Sequence, residues 1–241
     1  MTQREDLFGY EAVGRLDFGK GSYCTGVLIS TDLVLTAAHC LEDVAQAGNT
    51  KGVRFRAGLR DGKVVAARAA KLAVMHPDYD PNARMGSRNI RNDVGLVQLD
   101  TPIPSALAAP FVVDRLPPAK RRVSVVSYAR GRNDALSRQA VCSVLGRSRG
   151  LLAFNCDVWF GSSGAPVFDV SGRRARIVSL VSAGSKSQGG TVAYGSELYS
   201  RVAEVKQALR AGRGVIGSTG FKPRRIGVGE GSDTGARFLR P

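Results

Sequence analysis

The 241-residue sequence lacks several features that would direct it to a membrane, a helical bundle or a metal site. No stretch reaches the roughly 18 consecutive apolar residues of a membrane-spanning helix. Aromatic residues make up only 7%, no run of Leu or Glu/Lys indicates a helical bundle, and no C-x-x-C motif occurs. The composition therefore argues against an integral membrane protein and a cysteine-based zinc site, and we expect neither a metal nor another cofactor.

The sequence also lacks an apolar signal-peptide core at its start, so either the protein stays in the cell or the sequence begins after processing. Its four cysteines bear on this question: Cys24, Cys40, Cys142 and Cys156. Four cysteines allow three pairings. Proximity favours Cys24–Cys40 and Cys142–Cys156, each closing a loop of about 15 residues and contributing about 3 kcal/mol in the chain-entropy model. The alternative is four buried thiols in a cytosolic protein. Disulfides indicate an oxidising compartment, so we expect a secreted or periplasmic protein whose leader peptide is absent from this sequence.

Short apolar runs, separated by Gly, Pro, Asn and Asp, predict about ten β-strands. Several alternate apolar and polar residues, which is typical of a strand with one buried face. The runs are TGVLIS, VRFRAG, KVVAARAAKLAV, DVGLVQL, RVSVVSYA, QAVCSVLG, GLLAFNCDV, APVFDV, ARIVSLVSAG and TVAYGSEL. Many short strands with frequent turns favour a barrel or a sandwich over a βαβ protein. The segment YSRVAEVKQALRAG differs, because Val202, Val205, Ala208 and Leu209 share one helical face and Gly212 follows as a stop signal.

The proline-rich stretch from Asp100 to Lys120 divides the strands into two groups of similar size. We therefore expect a first β-barrel in residues 8–105, a linker in 106–120, and a second barrel with the helix in 121–210. Residues 211–241 are rich in Gly and Arg with little apolar periodicity, which predicts a flexible basic tail.

The formal net charge of +15 indicates either a solvated basic surface or adhesion to polyanionic surfaces. The basic pairs Arg121-Arg122, Arg173-Arg174 and Arg224-Arg225 are scattered and lack interleaved aromatics. We therefore expect no specific nucleic-acid partner. The sequence leaves the oligomeric state open.

The segment GSSGAP, residues 161–166, is either a tight linker or a turn that exposes a nucleophilic serine. A serine hydroxyl needs a base, which near neutral pH is usually histidine. Only His39 and His76 are available. His76 lies in MHPDYD, which indicates a structural residue in a surface turn, whereas His39 follows an apolar strand and precedes a cysteine. Asp93, in RNDVGLVQL, opens a strand that is apolar on both faces, where a carboxylate could be buried against an imidazole.

LTAAHC, NDVGLVQL and GSSGAPVF, in that chain order, resemble the three signatures of the chymotrypsin/trypsin-like serine peptidases. The likeness covers most of residues 10–210, including CTGVLIS, HPDY, IVSLVSAG and the C-terminal helix. It implies an all-β fold of two six-stranded antiparallel β-barrels with the active site between them, plus a C-terminal helix. It also implies that Ser163 is the nucleophile, His39 the general base and Asp93 the group that orients the imidazole.

The same resemblance implies an oxyanion hole formed by the backbone N–H groups of Gly161 and Ser163. Ser162 stands where the digestive enzymes carry an aspartate that pairs with a freed N-terminus, so activation by that ion pair is not expected. The sequence resembles the bacterial secreted branch of the family, which includes glutamyl-endopeptidase-like enzymes.

For substrate selection, Asp157 matches by offset the aspartate at the base of the trypsin pocket and would favour Arg or Lys before the scissile bond. Alternatively, Asp157 only hydrogen-bonds within the wall of the site. Val181 occupies the position at which Glu-specific enzymes recruit a histidine, which argues against Glu preference. Ser182, Ala183 and Gly184 would offer an edge strand to the substrate backbone.

The sequence therefore predicts a secreted serine endopeptidase that hydrolyses protein or peptide substrates through an acyl-enzyme. The alternative is a catalytically silent protein of the same fold that binds polyanions through its basic surface.

Overall fold

The first antiparallel sheet is built from segments whose side chains alternate between a buried and a more accessible face, as in Arg54–Ala57, where Phe55 and Ala57 are buried. In the computed structural model, which describes residues 8–19, 21–117, 122–187 and 190–217, this sheet closes into a barrel. Its strands are β1 (Val13–Gly19), β2 (Ser22–Ser30), β3 (Leu33–Thr36), β4 (Arg54–Ala57), β5 (Ala66–Met75) and β6 (Gly95–Leu99). The order is β5-β4-β1-β2-β3-β6, and pairing of β5 with β6 closes the barrel.

The second sheet has seven strands in the order β11-β10-β7-β8-β9-β13-β12. They are β7 (Arg122–Ser127), β8 (Ser137–Ser148), β9 (Leu151–Phe154), β10 (Pro166–Asp169), β11 (Arg176–Leu180), β12 (Ala183–Ser187) and β13 (Gly190–Ser196). The expected double-barrel architecture is confirmed, but the second unit is a seven-stranded half-barrel. The additional strand arises because IVSLVSAG is not one strand: the chain leaves β11 at Leu180 and enters β12, at the opposite end of the sheet, at Ala183.

Three α-helices occur in the described residues: α1 (Glu42–Ala47), α2 (Ser87–Asn92) and α3 (Leu198–Arg210). The C-terminal helix α3 is the one that the sequence predicts. It buries Val202, Val205 and Ala208 against the same cluster that fills the first barrel, and Gly212 follows it with a φ of +65°. None of these helices has the length and apolar character needed to cross a membrane.

The expected linker and tail are packed more closely than their composition indicates. Phe111 is buried, its N–H donates to the Leu28 carbonyl at 2.9 Å, and its ring centroid lies 4.7 Å from that of Phe168 in β10. Past the helix, β14 (Val215–Gly217) pairs antiparallel with β5, so the expected loose tail is part of the first sheet as far as residue 217. The remaining tail, residues 218–241, and linker residues 118–120 lie outside the described part of the chain.

Strand pairing brings distant residues together at the cleft between the two sheets. Thr36, at the end of β3, pairs with Gly95, at the start of β6. Residues just after β3 and just before β6 therefore lie at one end of the barrel, and these include His39 and Asp93. Across the cleft, Ser163 lies in the turn before β10, and its carbonyl accepts a hydrogen bond from the Thr25 N–H in β2 at 2.9 Å.

Candidate active site

Asp93 is fully buried and holds His39 through two hydrogen bonds. One carboxylate oxygen accepts from His39 Nδ1 at 2.8 Å, and the other accepts from the His39 backbone N–H at 2.8 Å. Since Nδ1 carries the proton in this arrangement, the neutral ring presents Nε2 as its free acceptor. The His39 side chain retains 24% exposure, so this base is accessible from the cleft.

The surroundings of His39 act on its pKa in opposite directions. Burial lowers the pKa because it disfavours the charged ring. The hydrogen bond to Asp93, the charge of Asp93 and the charge of Glu42 together outweigh burial and raise the His39 pKa above its ordinary value. Glu42 is itself held by Tyr79, whose hydroxyl donates to Glu42 Oε1 at 2.5 Å. Burial and this bond raise the pKa of Tyr79 far above its usual range, so the phenol remains a donor.

The glycines on either side of Ser162-Ser163 are required by backbone conformation and by space. Gly161 has a φ of +87°, and a Cβ there would collide with the Tyr128 carbonyl oxygen and the Tyr23 ring. Gly164 has a φ of +74°, and a Cβ there would collide with oxygens of the first barrel. Both positions exclude side chains, because L-residues rarely adopt this conformation and the neighbouring atoms are already in contact. Gly164 thus serves the close approach of the two sheets.

Four consecutive carbonyls in the serine loop, which we define as residues 160–163, accept hydrogen bonds. The Phe160 carbonyl accepts from Arg130 N–H at 2.7 Å, and that of Ser162 from Ala165 N–H at 2.9 Å. The other two, Gly161 and Ser163, accept from the side chain and the backbone of Thr25. Among the described residues, the N–H groups of Gly161 and Ser163 have no partner. In a trans peptide N–H and C=O point in opposite directions, so the Gly161 N–H points away from Arg130.

Ser162 is buried, and its side chain points away from the cleft. Its hydroxyl donates to the Ser127 hydroxyl at 3.1 Å and accepts from Trp159 N–H at 3.4 Å. The position that the resemblance assigns to an activating aspartate is therefore occupied by a neutral, locally satisfied side chain.

The two disulfides that the sequence predicts are present. Cys24–Cys40 joins β2 to the turn that carries His39, with a Cα–Cα distance of 6.4 Å. Cys142–Cys156 joins β8 to the segment after β9, with a Cα–Cα distance of 5.1 Å. The first bond fixes the residue next to His39 to the barrel wall.

His39 and Ser163 line one side of an open cleft of about 370 Å³. Phe160 and Gly161 also line it, as do Cys24 and Cys40 of the first disulfide. Within the described residues, no hydrogen bond joins the Ser163 hydroxyl to His39 Nε2. Ser163, His39 and Gly161 nevertheless line the same cleft.

A second cavity, of about 390 Å³, begins at Ser163 and has mainly apolar walls. It is lined by Val158, Trp159, Phe160, Val181, Ser182, Ala183, Gly184, Ser185 and Thr191, together with Ser163. Three of the predicted binding residues, Ser182, Ala183 and Gly184, therefore line it, where the chain enters the edge strand β12. No charged side chain lines this cavity among the described residues.

The structure places Asp157 outside this cavity. Cys156 and Val158, on either side of this residue, are buried. Asp157 itself is exposed, its N–H donates to the Gln139 side chain at 2.6 Å, and it lines a separate groove beside Arg138. Val158 lines the cavity at the point where counting back from Ser163 would place Asp157.

Comparison with known proteins places this geometry in a family. The family described as trypsin-like peptidase domain matches residues 24–175, well over half of the chain. The chain belongs to the trypsin-like peptidase family. Its matches to individual members are partial, and each spans 35% or less of the relative's own length.

Among these relatives, a trypsin of Sarcophaga bullata is 32% identical over 102 residues, which is 40% of this chain and 35% of that protein. Mouse cathepsin G is 37% identical over 79 residues, or 32% of this chain and 26% of that protein. Mouse serine protease 56 is 31% identical over 135 residues, or 53% of this chain and 20% of that protein.

Solved structures support the fold of this trypsin-like domain. A Glu endopeptidase, solved in complex with MPD, superposes with a TM-score of 0.66 at 20% identity and covers 83% of this chain and 90% of its own. A thermostable serine protease AL20 from an extremophilic microorganism gives 0.66 at 18% identity, covering 82% of this chain and 96% of its own.

The second histidine of the trypsin-like domain lies apart from the cleft. His76 is only 2% exposed, so it is not in an exposed turn as expected. Its Nε2 lies 2.7 Å from a carboxylate oxygen of Glu204 in α3, and its Nδ1 accepts from Asp78 N–H at 3.1 Å. His76 therefore ties the loop after β5 to the C-terminal helix, in keeping with the structural role that the sequence indicates.

One group of potential metal ligands occurs in the described part of this trypsin-like domain: Cys24, His39 and Cys40. Both sulfurs are in the disulfide and His39 Nδ1 is bonded to Asp93, so the set does not offer the thiolates that zinc prefers.

Sequence reasoning did not find the polar residues that support the serine loop and the surroundings of His39. Thr25 and Arg130 contact the serine loop from 136 and 30 residues away, and Tyr79 reaches Glu42 beside His39. No local motif marks these contacts, because each depends on the packing of the two sheets.

Proposed function

We propose that this chain is a serine endopeptidase in which Ser163 is the nucleophile, His39 the general base and Asp93 the orienting carboxylate. The observation that carries the proposal is the His39–Asp93 pair, bonded through both carboxylate oxygens, with its free ring nitrogen facing the cleft that Ser163 lines. Family membership supports the same chemistry. The open distance between hydroxyl and imidazole is compatible with it, because such contacts tighten when substrate binds.

In the proposed reaction, Ser163 Oγ attacks the carbonyl carbon of the scissile bond while His39 Nε2 takes the hydroxyl proton. The negative oxygen of the tetrahedral intermediate accepts hydrogen bonds from the N–H groups of Gly161 and Ser163. The C–N bond then breaks, and His39 returns the proton to the leaving amine. Water repeats the sequence on the acyl-enzyme and releases the acid.

The raised pKa of His39 fits this cycle, because the ring must accept a proton and then hold it near Asp93. Asp93 stabilises the imidazolium that forms, and its bond to Nδ1 keeps Nε2 aimed at the cleft.

For the residue before the scissile bond, we propose an apolar side chain such as Leu, Met or Phe. The cavity at Ser163 is walled by Val158, Val181, Ala183 and Gly184, and a cation or carboxylate would lose water there without gaining a partner. A preference for Arg or Lys loses its support with the outward position of Asp157. The substrate backbone would pair with the edge strand β12.

The two disulfides favour a protein that works in an oxidising compartment, outside the cytosol.

Hydrolysis of an unfolded protein such as reduced casein, followed by mass spectrometry of the products, tests the proposal. We expect peptides to accumulate with the parent protein, and no cleavage with Ser163→Ala. If both proteins are folded and equally inactive, the endopeptidase proposal fails, and the alternative of a silent, polyanion-binding protein of this fold takes its place.

A further inference from the structure

The serine loop needs support that does not come from an aspartate beside the nucleophile. Ser162 occupies that position, and its hydroxyl donates to Ser127 at the end of β7 and accepts from Trp159 N–H just before the loop. A flexible loop would leave the two free N–H groups without a fixed direction. One residue of the first barrel reaches the loop directly and can hold it.

That residue is Thr25, which lies in β2 and is fully buried. Its hydroxyl donates to the Gly161 carbonyl at 2.8 Å and accepts from Tyr128 N–H at 3.0 Å. Its backbone N–H donates to the Ser163 carbonyl at 2.9 Å. One side chain thus joins the first barrel, the end of β7 and the loop that carries the nucleophile.

These bonds fix the backbone on both sides of the peptide that supplies the Ser163 N–H. The Gly161 carbonyl belongs to the peptide before it and the Ser163 carbonyl to the peptide after it. Because each peptide is planar, holding a carbonyl also holds the N–H on the same unit. The intervening peptide is anchored through the Ser162 carbonyl by Ala165 N–H at 2.9 Å. The units that carry the two unpartnered N–H groups are anchored by Arg130 and Ala165, and Thr25 holds the two peptide units that flank the Ser163 N–H.

The Thr25 hydroxyl cannot be exchanged for a methyl group without leaving two partners unsatisfied. Its site is closed to solvent, since Thr25 and Tyr128 are fully buried and Thr36 Oγ1 donates to the Thr25 carbonyl at 2.9 Å. Without the hydroxyl, the Gly161 carbonyl and the Tyr128 N–H both lose their hydrogen-bond partner. Buried backbone groups rarely remain unpaired. The loop would then relax toward other partners and turn its N–H groups.

We propose that Thr25 is a positioning residue that sets the oxyanion hole of this chain through its side-chain hydroxyl. The inference rests on the proposed function, because the hole has a role only if Ser163 forms an acyl-enzyme. It assigns to a neutral hydrogen-bond network the support that an ion pair beside the nucleophile would otherwise give.

The test compares hydroxyl-free and hydroxyl-bearing variants. Thr25→Val removes the hydroxyl and keeps the shape, Thr25→Ser keeps the hydroxyl, and Thr25→Ala is a second hydroxyl-free variant should the valine protein not fold. Thr50→Val is the matched control, because Thr50 is equally buried, donates to the Ala70 carbonyl at 3.0 Å and lies outside the cleft and the pocket. Thermal unfolding shows whether each variant is folded. The burst of product from an activated ester counts the active molecules in each preparation.

For Thr25→Val we expect kcat to fall about 10- to 100-fold with KM changed less than twofold, because misplaced donors fail mainly in the transition state. Inhibition by a peptide aldehyde, whose hemiacetal oxygen occupies the hole, should weaken in parallel. Thr25→Ser should stay within about threefold of the parent and Thr50→Val should keep its kcat even where its melting temperature falls.

An unchanged kcat and aldehyde affinity in a folded hydroxyl-free variant would overturn the inference while leaving the proposed function intact. Equal losses in Thr25→Ser and Thr25→Val would overturn it as well, because the hydroxyl would then not be the cause. A parent protein that gives neither a burst nor turnover would refute the proposed function itself.

Discussion

The apolar cavity beside Ser163 predicts which residue is preferred before the scissile bond. The prediction depends on Asp157 pointing away from the cavity. We expect cleavage after Leu, Met or Phe. Each buried CH₂ contributes about 0.8 kcal/mol, so Leu should exceed Ala by about 2.4 kcal/mol. At about 1.4 kcal/mol per factor of ten, this is roughly 50-fold in kcat/KM. Arg and Glu should be poorer still, since the lining offers their charges no partner.

Two substitutions separate the cavity wall from the exposed aspartate. Asp157→Asn removes a carboxylate outside the cavity, so the ratio of kcat/KM for Leu and Arg should change less than about twofold. In Gly184→Val the new Cβ lies 3.1 Å from Val158 Cγ2, and the remaining methyl groups occupy the cavity. We expect this variant to lose most of the roughly 50-fold preference for Leu while it retains cleavage after Ala.

The assay uses fluorogenic peptides that differ only in the residue before the scissile bond, with active molecules counted by an ester burst. The reasoning would be refuted if the parent protein preferred Arg and lost that preference in Asp157→Asn. A buried Arg–Asp pair would then be at work, and breaking it should cost about 3–5 kcal/mol, or more than 100-fold.

Three further predictions concern the base, a disulfide and a glycine. Because Asp93 raises the pKa of His39, kcat/KM should rise with pH as the ring loses its proton, with a midpoint above the ordinary 6.5. Asp93→Asn should lower both the midpoint and the plateau of this profile. A parent midpoint at or below 6.5 would contradict the prediction. Replacing Cys24 and Cys40 by Ala removes a cross-link of sequence separation 16, which should lower the free energy of unfolding by about 3 kcal/mol and Tm by about 6–12 °C in calorimetry. A shift under about 2 °C would argue against this disulfide. Gly164→Ala adds a Cβ at a φ of +74° against first-barrel oxygens, so Tm should fall by at least about 4 °C, and an unchanged Tm would show that the two sheets do not approach as described.

Local motifs predict the candidate site residues of this chain better than they predict the contacts that hold those residues in place. His39, Asp93 and Ser163 each lie in a short stretch whose composition is unusual in itself, and the pairing of β3 with β6 then brings the first two together. The C-terminal helix is predictable because its 13 residues give a clear apolar face. Helices α1 and α2 have six residues each, which is too short for a periodic signal.

Local patterns predict least where a side chain's position depends on the path of the backbone. Asp157 lies outside the cavity although its offset matches, because counting from Ser163 fixes a distance along the chain but not the direction of a side chain. Thr25 is invisible for another reason. A threonine in a strand is an ordinary β-former, and its partner Gly161 lies 136 residues away.

Labelling with a fluorophosphonate, read by intact mass and peptide mapping, tests the central claim most directly. We expect the parent protein to gain one adduct, located on Ser163, Ser163→Ala to gain none, and His39→Ala to react far more slowly. A folded parent protein that stays unlabelled, or labelling that persists in Ser163→Ala, would contradict the account.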